Sequence, residues 1–414
     1  MDNWSRRRFL KVSGVVGGAA ALAGGAAISI DNLLTRAAEQ PLAGDAGVLV
    51  LVTLYGGNDG LNTLVPYGEN AYYDARPELA YKASDVLKLD DKLGLNPAMS
   101  KMHQLWQNKQ LAIVRGVGYP NPDHSHFRSM DIWQTASPAE PLQTGWVGRW
   151  LDATGDDPLR AVNIGAVLPP LAVGAKTTAA ALDLSKTAKV NSAATKTIAA
   201  LAVNDPADSA SALEVVASYR AEQQVSATFG SVLTSFDAQP TTEPRASAAS
   251  GGGADSLDKQ LALVAACIKA SVPTKLYSVS LGGFDTHADE KGTQHDQLAL
   301  VDAAVGSFMS AMSSTPHGKN VVIMIYSEFG RRVKANASQG TDHGTASPMF
   351  LAGLPIKGGQ YYGDEPSLTD LNDGDLKVTT DFRDVYATAV AQLLKADPDQ
   401  ILGAGRKPIP YLAT

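Results

Sequence analysis

The 414-residue chain contains a single cysteine, Cys267, so no disulfide can form within it. The setting of that residue, LALVAACIKA, is an apolar run of helical spacing with nothing to lower a thiol pKa. Cys267 therefore reads as a small buried hydrophobe and not as a nucleophile. The chain also lacks a basic surface. Its 35 lysines and arginines stand against 42 acidic residues, and the formal charge of -7 leaves no basic run outside the first dozen residues. Nucleic acid is excluded as an expected partner on those grounds. Lacking too is an apolar run of the roughly 20 strongly hydrophobic residues that a membrane span needs. The longest weakly apolar stretch, residues 12–30, is diluted by glycine and alanine.

That stretch follows Ser5-Arg6-Arg7-Arg8-Phe9-Leu10-Lys11, and the two together match a twin-arginine export signal, which carries an already folded protein across a membrane. Residues 1–38 are expected to be the signal, with cleavage near Ala37 or Ala38; a retained membrane anchor is the weaker reading. The expected partner during export is the Tat translocase, the location periplasmic or secreted, and no stable membrane span remains after processing. The 44% hydrophobic content then suffices for a large core over 45–414.

The stretch 320–353, NVVIMIYSEFGRRVKANASQGTDHGTASPMFLAG, organises the remainder. Residues 321–326 are apolar without alternation, as in a strand buried on both faces of a parallel sheet. The run stops at Ser327 and Glu328, which places a carboxylate at the sheet's carboxyl edge, where open α/β folds bind ligands. Asp342 and His343 follow, ahead of a further apolar run over 349–354. Glu328 pairing with Arg331 or Arg332 at a turn is the plain structural alternative. Residues 47–55 form a similar run that ends in Gly56-Gly57-Asn58-Asp59, and 275–281 another that ends in Gly282-Gly283-Phe284-Asp285-Thr286-His287, with His295 eight residues on. Residues 110–116 read as a strand leading into a loop with His124, Ser125 and His126 ahead of a helical pattern. Ser125 at a helix start is either an N-cap or a hydroxyl placed where backbone N–H groups favour an anionic substrate. The Ala-, Ser- and Thr-rich stretch 161–256 is expected to be a helical insertion that ends in a flexible loop.

Histidines and carboxylates thus gather on loops that follow strands. Such a mixed set suits Zn²⁺ or Mn²⁺, with Mg²⁺ or Ca²⁺ as alternatives, and one or two ions are expected. The fitting chemistry is metal-assisted hydrolysis, in which an ion activates Ser125 or a water.

The blocks LYGGNDGLNTLVP, SHFRSMDIWQ, GFDTHADE, YSEFGRR and DHGTASPMFLAG, in this order behind the Arg-rich leader, resemble the bacterial family known as domain of unknown function 1501 (DUF1501). That family in turn is distantly similar to the alkaline phosphatase and sulfatase superfamily. The resemblance implies an α/β fold with a mostly parallel central sheet and helices on both faces. It implies Ser125 as nucleophile and Asp59, Asp285, His287, Glu328 and His343 as metal ligands. Asn62, Thr63, His124, His126, His295, Asp342 and Arg331 are the expected supporting or substrate-binding residues, with Thr63 the rival hydroxyl. Two departures from the superfamily stand out: Asp285 and His287 are only two apart, and Ser327-Glu328 stands where an adjacent Asp and His are usual. The expected activity is hydrolysis of phosphate or sulfate esters, of a small molecule or a glycan. The alternative is a non-catalytic exported binding or assembly protein on the same fold.

Overall fold

A computed structural model of the chain describes residues 30–165, 167–182 and 256–413. Twelve strands are present among them: β1 Val48–Leu54, β2 Leu64–Val65, β3 Leu87–Lys88, β4 Gly94–Leu95, β5 Leu111–Gly118, β6 Ala161–Ile164, β7 Ala180–Leu182, β8 Leu276–Leu281, β9 Val321–Ser327, β10 Ser347–Gly353, β11 Gln360–Tyr362 and β12 Thr380–Asp381. Nine form one sheet in the order β11-β5-β10-β9-β1-β8-β6-β7, with β12 beside β5, while β2, β4 and β3 make a small sheet of their own. In the large sheet only β10 runs antiparallel to its neighbours, β5 and β9. The expected mostly parallel α/β fold is the one observed.

The unbroken apolar runs became central strands because both faces of the sheet are covered. Val48, Val50, Val52 and Leu54 of β1 face one core, which they share with helices α1 Ile30–Glu39, α3 Ser100–Gln107, α6 Leu257–Lys269 and α7 Glu290–Ser313. Leu49 and Leu51 face the other, with α4 His126–Thr135, α5 Trp146–Thr154 and α8 Phe382–Gln392. The short α2, Gly60–Thr63, follows β1. Cys267 lies fully buried on α6, and desolvation pushes its thiol up to about 12, as an inert core residue requires. No helix among the described residues is long and apolar enough to cross a membrane.

Two expectations change. Residues 161–182 are not part of an insertion: β6 pairs in parallel with β8 and β7 with β6, so they extend the main sheet. Their short, Ala-rich strands have the composition of the stretch that follows, residues 183–255, which lies outside the described residues. Residues 30–38, expected to leave with the signal, belong to α1, whose Leu33 is fully buried in the first core. The Arg-rich segment expected to open the export signal lies outside the described residues.

Strand direction positions the site. β1, β5, β8 and β9 end at one edge, and β10, running the other way, begins there. The segments 55–59, 119–126, 282–287, 328–332 and 341–346 therefore meet along that edge.

Candidate metal centre

Asp285 is the hub. Its Oδ1 lies 3.0 Å from His287 Nε2 and 3.1 Å from His343 Nε2, and those two nitrogens are 2.9 Å apart. Its Oδ2 faces His126 Nε2 at 3.4 Å. One donor atom each from His126, Asp285 and His343 falls within 4.8 Å of the other two. Phe329 walls the cluster, its ring centroid 4.9 Å from those of both His126 and His343.

Two of the imidazoles are hydrogen-bonded from their far side, and the third faces a carboxylate there. Nδ1 of His343 donates to the carbonyl of His124 at 2.8 Å, and a carbonyl can only accept. Nδ1 of His126 donates to Oε1 of Glu328 at 2.8 Å, and Nδ1 of His287 faces Asp342 Oδ1 at 3.6 Å. Rings protonated at Nδ1 present bare lone pairs at Nε2, and those of His126 and His343 converge on the Asp285 carboxylate. His126 Nε2 is buried and has no hydrogen-bond partner. Bare nitrogens gathered in this way need a positive charge at their centre, either a proton or a cation. The donor set of two imidazoles and one carboxylate, with His287 beside it, fits a divalent metal of the nitrogen-preferring kind.

In the protein alone that charge is met at His126. Burial by itself would lower the His126 pKa, but the flanking Asp285 and Glu328 carboxylates carry it up to about 9. Burial likewise opposes ionisation of Asp285, and the facing His126 and His343 rings together with the Arg331 guanidinium override it, holding the carboxyl well below its ordinary range. His287 is lowered by desolvation and by the nearby Arg331 guanidinium.

The expected ligand set is thus redistributed. Glu328, expected as a ligand, is fully buried with both oxygens engaged: Oε1 accepts from Gly56 N and His126 Nδ1, and Oε2 from the Ser327 hydroxyl at 2.9 Å. It holds His126, which takes the place at the cluster that was expected for Glu328. The signal for this exchange was present in the sequence, since a histidine at a helix start beside a strand-end loop has the same reach as a residue at the strand end itself. Asp59 is also removed from the ligand set. It caps α2 by accepting from Leu61 N and pairs with the fully buried Arg76, which also donates to the carbonyls of Val333 and Arg332. Arg76 lies in a polar, proline-interrupted stretch that gives no sign of burial.

The supporting residues divide in the same way. Arg331 is buried and holds the edge together, donating to the carbonyls of Gly56, Gly57, Phe284 and Thr341 and to Asp285 Oδ1 at 2.8 Å. It pairs with Asp285 and not with Glu328. Gly56 and Gly57 permit this convergence: both have positive φ, and a Cβ at Gly56 would lie 2.4 Å from Asp285 N. His124 lends its carbonyl to His343 and its ring to Asp375, at 2.8 Å. Asn62 and Thr63 are buried structural groups. Asn62 accepts from Tyr72 Oη at 2.7 Å and Thr63 donates to the Asp59 carbonyl at 2.7 Å, which removes Thr63 as a nucleophile. His295 sits on the early turns of α7 and is not among the converging donors. Ser125 is the exposed N-cap residue of α4, next to His126, and its hydroxyl makes no capping bond. Its backbone N–H donates to Asp123 Oδ1 at 2.7 Å.

The family profile described as "Protein of unknown function (DUF1501)" matches residues 46–407, which spans the sheet and every residue of the cluster. The chain belongs to the DUF1501 family. No curated protein matches this DUF1501 member in sequence. Among solved structures it is similar to a protein of the alkaline phosphatase superfamily from Vibrio parahaemolyticus, at 11% identity and TM-score 0.44, over 91% of this chain and 76% of that one. It is also similar to the PsFucS1 sulfatase from Pseudoalteromonas sp. (11% identity, TM-score 0.38, 95% and 72% of the two chains). A third is the C-terminal periplasmic domain of EcEptC from Escherichia coli, at 12% identity and TM-score 0.34 over 87% of each chain.

Proposed function

We propose that this chain is an exported, metal-dependent hydrolase of phosphate or sulfate esters, acting on a small molecule or a glycan. The observation that carries the reading is the convergence of His126, His287 and His343 on Asp285, with each imidazole bonded or faced by an oxygen at Nδ1. These four side chains would hold one ion, Zn²⁺ or Mn²⁺ before Mg²⁺ or Ca²⁺, because nitrogen donors dominate. When bound, the ion supplies a positive charge that draws electron density from the ester.

The protein's own groups do the rest. Ser125 Oγ, uncommitted at the start of α4, is the nucleophile: it attacks phosphorus or sulfur, the alcohol departs, and water hydrolyses the esterified serine. The positive end of the α4 dipole favours an anionic group at that place. Glu328 holds His126, and Arg331 holds the backbone of three of the loops.

The test is Ser125→Ala against aryl phosphate and aryl sulfate esters, with metal content measured in parallel. Turnover abolished with metal retained supports the reading; unchanged turnover removes Ser125 from the chemistry. A binding or assembly role is the second reading. It is favoured by the commitment of Asp59 and Glu328 to the fold, which leaves a single cluster among the described residues. An ion that binds while no ester turns over would put this second reading first.

A further inference from the structure

Residues 30–39 fall in the stretch expected to end the export leader, yet they form a docked element of the folded body. The sequence IDNLLTRAAE sets Ile30, Leu33 and Ala37 at helical spacing on one side of α1. All three are buried in the core that contains β1, Leu33 completely. At the flank of that face, Arg36 Nη2 bonds Asp157 Oδ2 at 2.9 Å, across 121 residues of sequence. Just beyond the helix Leu42 is buried as well, and its N–H donates to the Ser271 carbonyl at 2.8 Å.

We infer that the leader is cut N-terminal to Ile30, and that α1 remains as the first element of the exported protein. The inference rests on the export reading above. A protein carried across the membrane already folded presents its leader to the peptidase only where the backbone can lie extended in a cleft. The bond after Ala37 is inside a helix, and Ala37 is itself 6% exposed. Cutting there requires α1 to leave the core and unwind, with loss of the Arg36–Asp157 pair. Upstream, Ala21-Leu22-Ala23 offers the small-x-small pattern that leader peptidases read.

Two measurements on the full chain test this. The first is the intact mass of the protein recovered from the periplasm of a bacterium that has the twin-arginine route. A first residue beyond the Arg-rich run of residues 5–11 and no later than position 30 is expected, and a first residue C-terminal to Ile30 overturns the inference. A chain that keeps its leader overturns the cleavage and the export reading together. The second is independent of export: native trypsin digestion of the purified, unprocessed chain. Bonds after Arg6, Arg7, Arg8 and Lys11 should be cut while the bond after Arg36 survives at least about 10-fold longer, because cleavage there must wait for local opening. Equal rates overturn the docking of α1, whatever the export result. Leu33→Asp should bring cleavage after Arg36 up to the rate seen after Arg8, and protection that persists in this variant also overturns it.

Discussion

Nδ1 of His126 and Oε1 of Glu328 are 2.8 Å apart, and the glutamate has no exposure of its own to lend to anything else. A carboxylate behind a metal-facing imidazole fixes its tautomer and raises its basicity. Glu328→Gln keeps an acceptor in place but removes the charge. Metal affinity should fall by about 10- to 100-fold, read by competition with a chromophoric chelator. An affinity equal to that of the unchanged protein would show that Glu328 serves only Gly56 and Ser327.

Asp285 has two duties that substitution can separate. Asp285→Asn retains an oxygen for Arg331 but loses the charge that faces the histidines. Metal content by elemental analysis should drop below 0.1 equivalent, on the roughly 10- to 100-fold scale of ligand and support losses, with melting close to that of the unchanged protein. Asp285→Ala should lose metal and also about 1–3 kcal/mol of stability, since the buried guanidinium is left without its charged partner. Equal melting of the two variants would contradict that tethering role.

Ion uptake should expel protons. His126 is held at about 9 by Asp285 and Glu328 against the opposing effect of burial, so near neutral pH an entering cation must displace its proton. Affinity should rise with pH up to about 9, and calorimetry in buffers of different ionisation enthalpy should show net proton release. In the metal-free protein the sign is opposite for stability. A histidine whose folded pKa exceeds its ordinary 6.5 contributes fully below that value, and the contribution fades as pH rises towards 9. Proton uptake on metal binding would refute a protonated His126 at the cluster.

Away from the cluster, Glu290 is buried beside Asp59, and desolvation followed by that neighbouring carboxylate raises it to about 9. Thr341 donates its hydroxyl to Glu290 Oε2, which offsets the shift only in part. A carboxyl raised in this way is protonated in the folded chain and ionised in the unfolded one, so it costs stability progressively as pH climbs from about 4.5 towards 9. Glu290→Gln, shaped like the neutral acid, should melt several degrees higher at pH 8, and the gap should close below pH 5. Thermal melts across that range decide the matter; a variant that melts lower at pH 8 would refute it.

The central strands and helices were legible because burial on both faces forces unbroken apolar runs, and because strand ends announce themselves with glycine and charge. Asp285, His287 and His343 were legible for the same reason. Less legible was which carboxylate is free to bind. Glu328 and Asp59 sit at strand ends exactly as ligands would in sequence, and only the partners brought from far away, His126 and Arg76, show that both are spoken for. Composition hides two boundaries: the alanines of α1 continue those of residues 19–27, and β6 and β7 share the small-residue content of the stretch beyond them.

Arg331 gives the edge a mechanical character. One guanidinium is shared by the turn after β1, the turn after β8 and the segment ahead of β10. These three pieces of chain are thereby pinned at a single rivet, and none can swing outward without breaking bonds that belong to the other two. The floor of the site is in that sense one rigid casting, and the segment 119–126, which brings Ser125, is tied to it separately through His124 and His126.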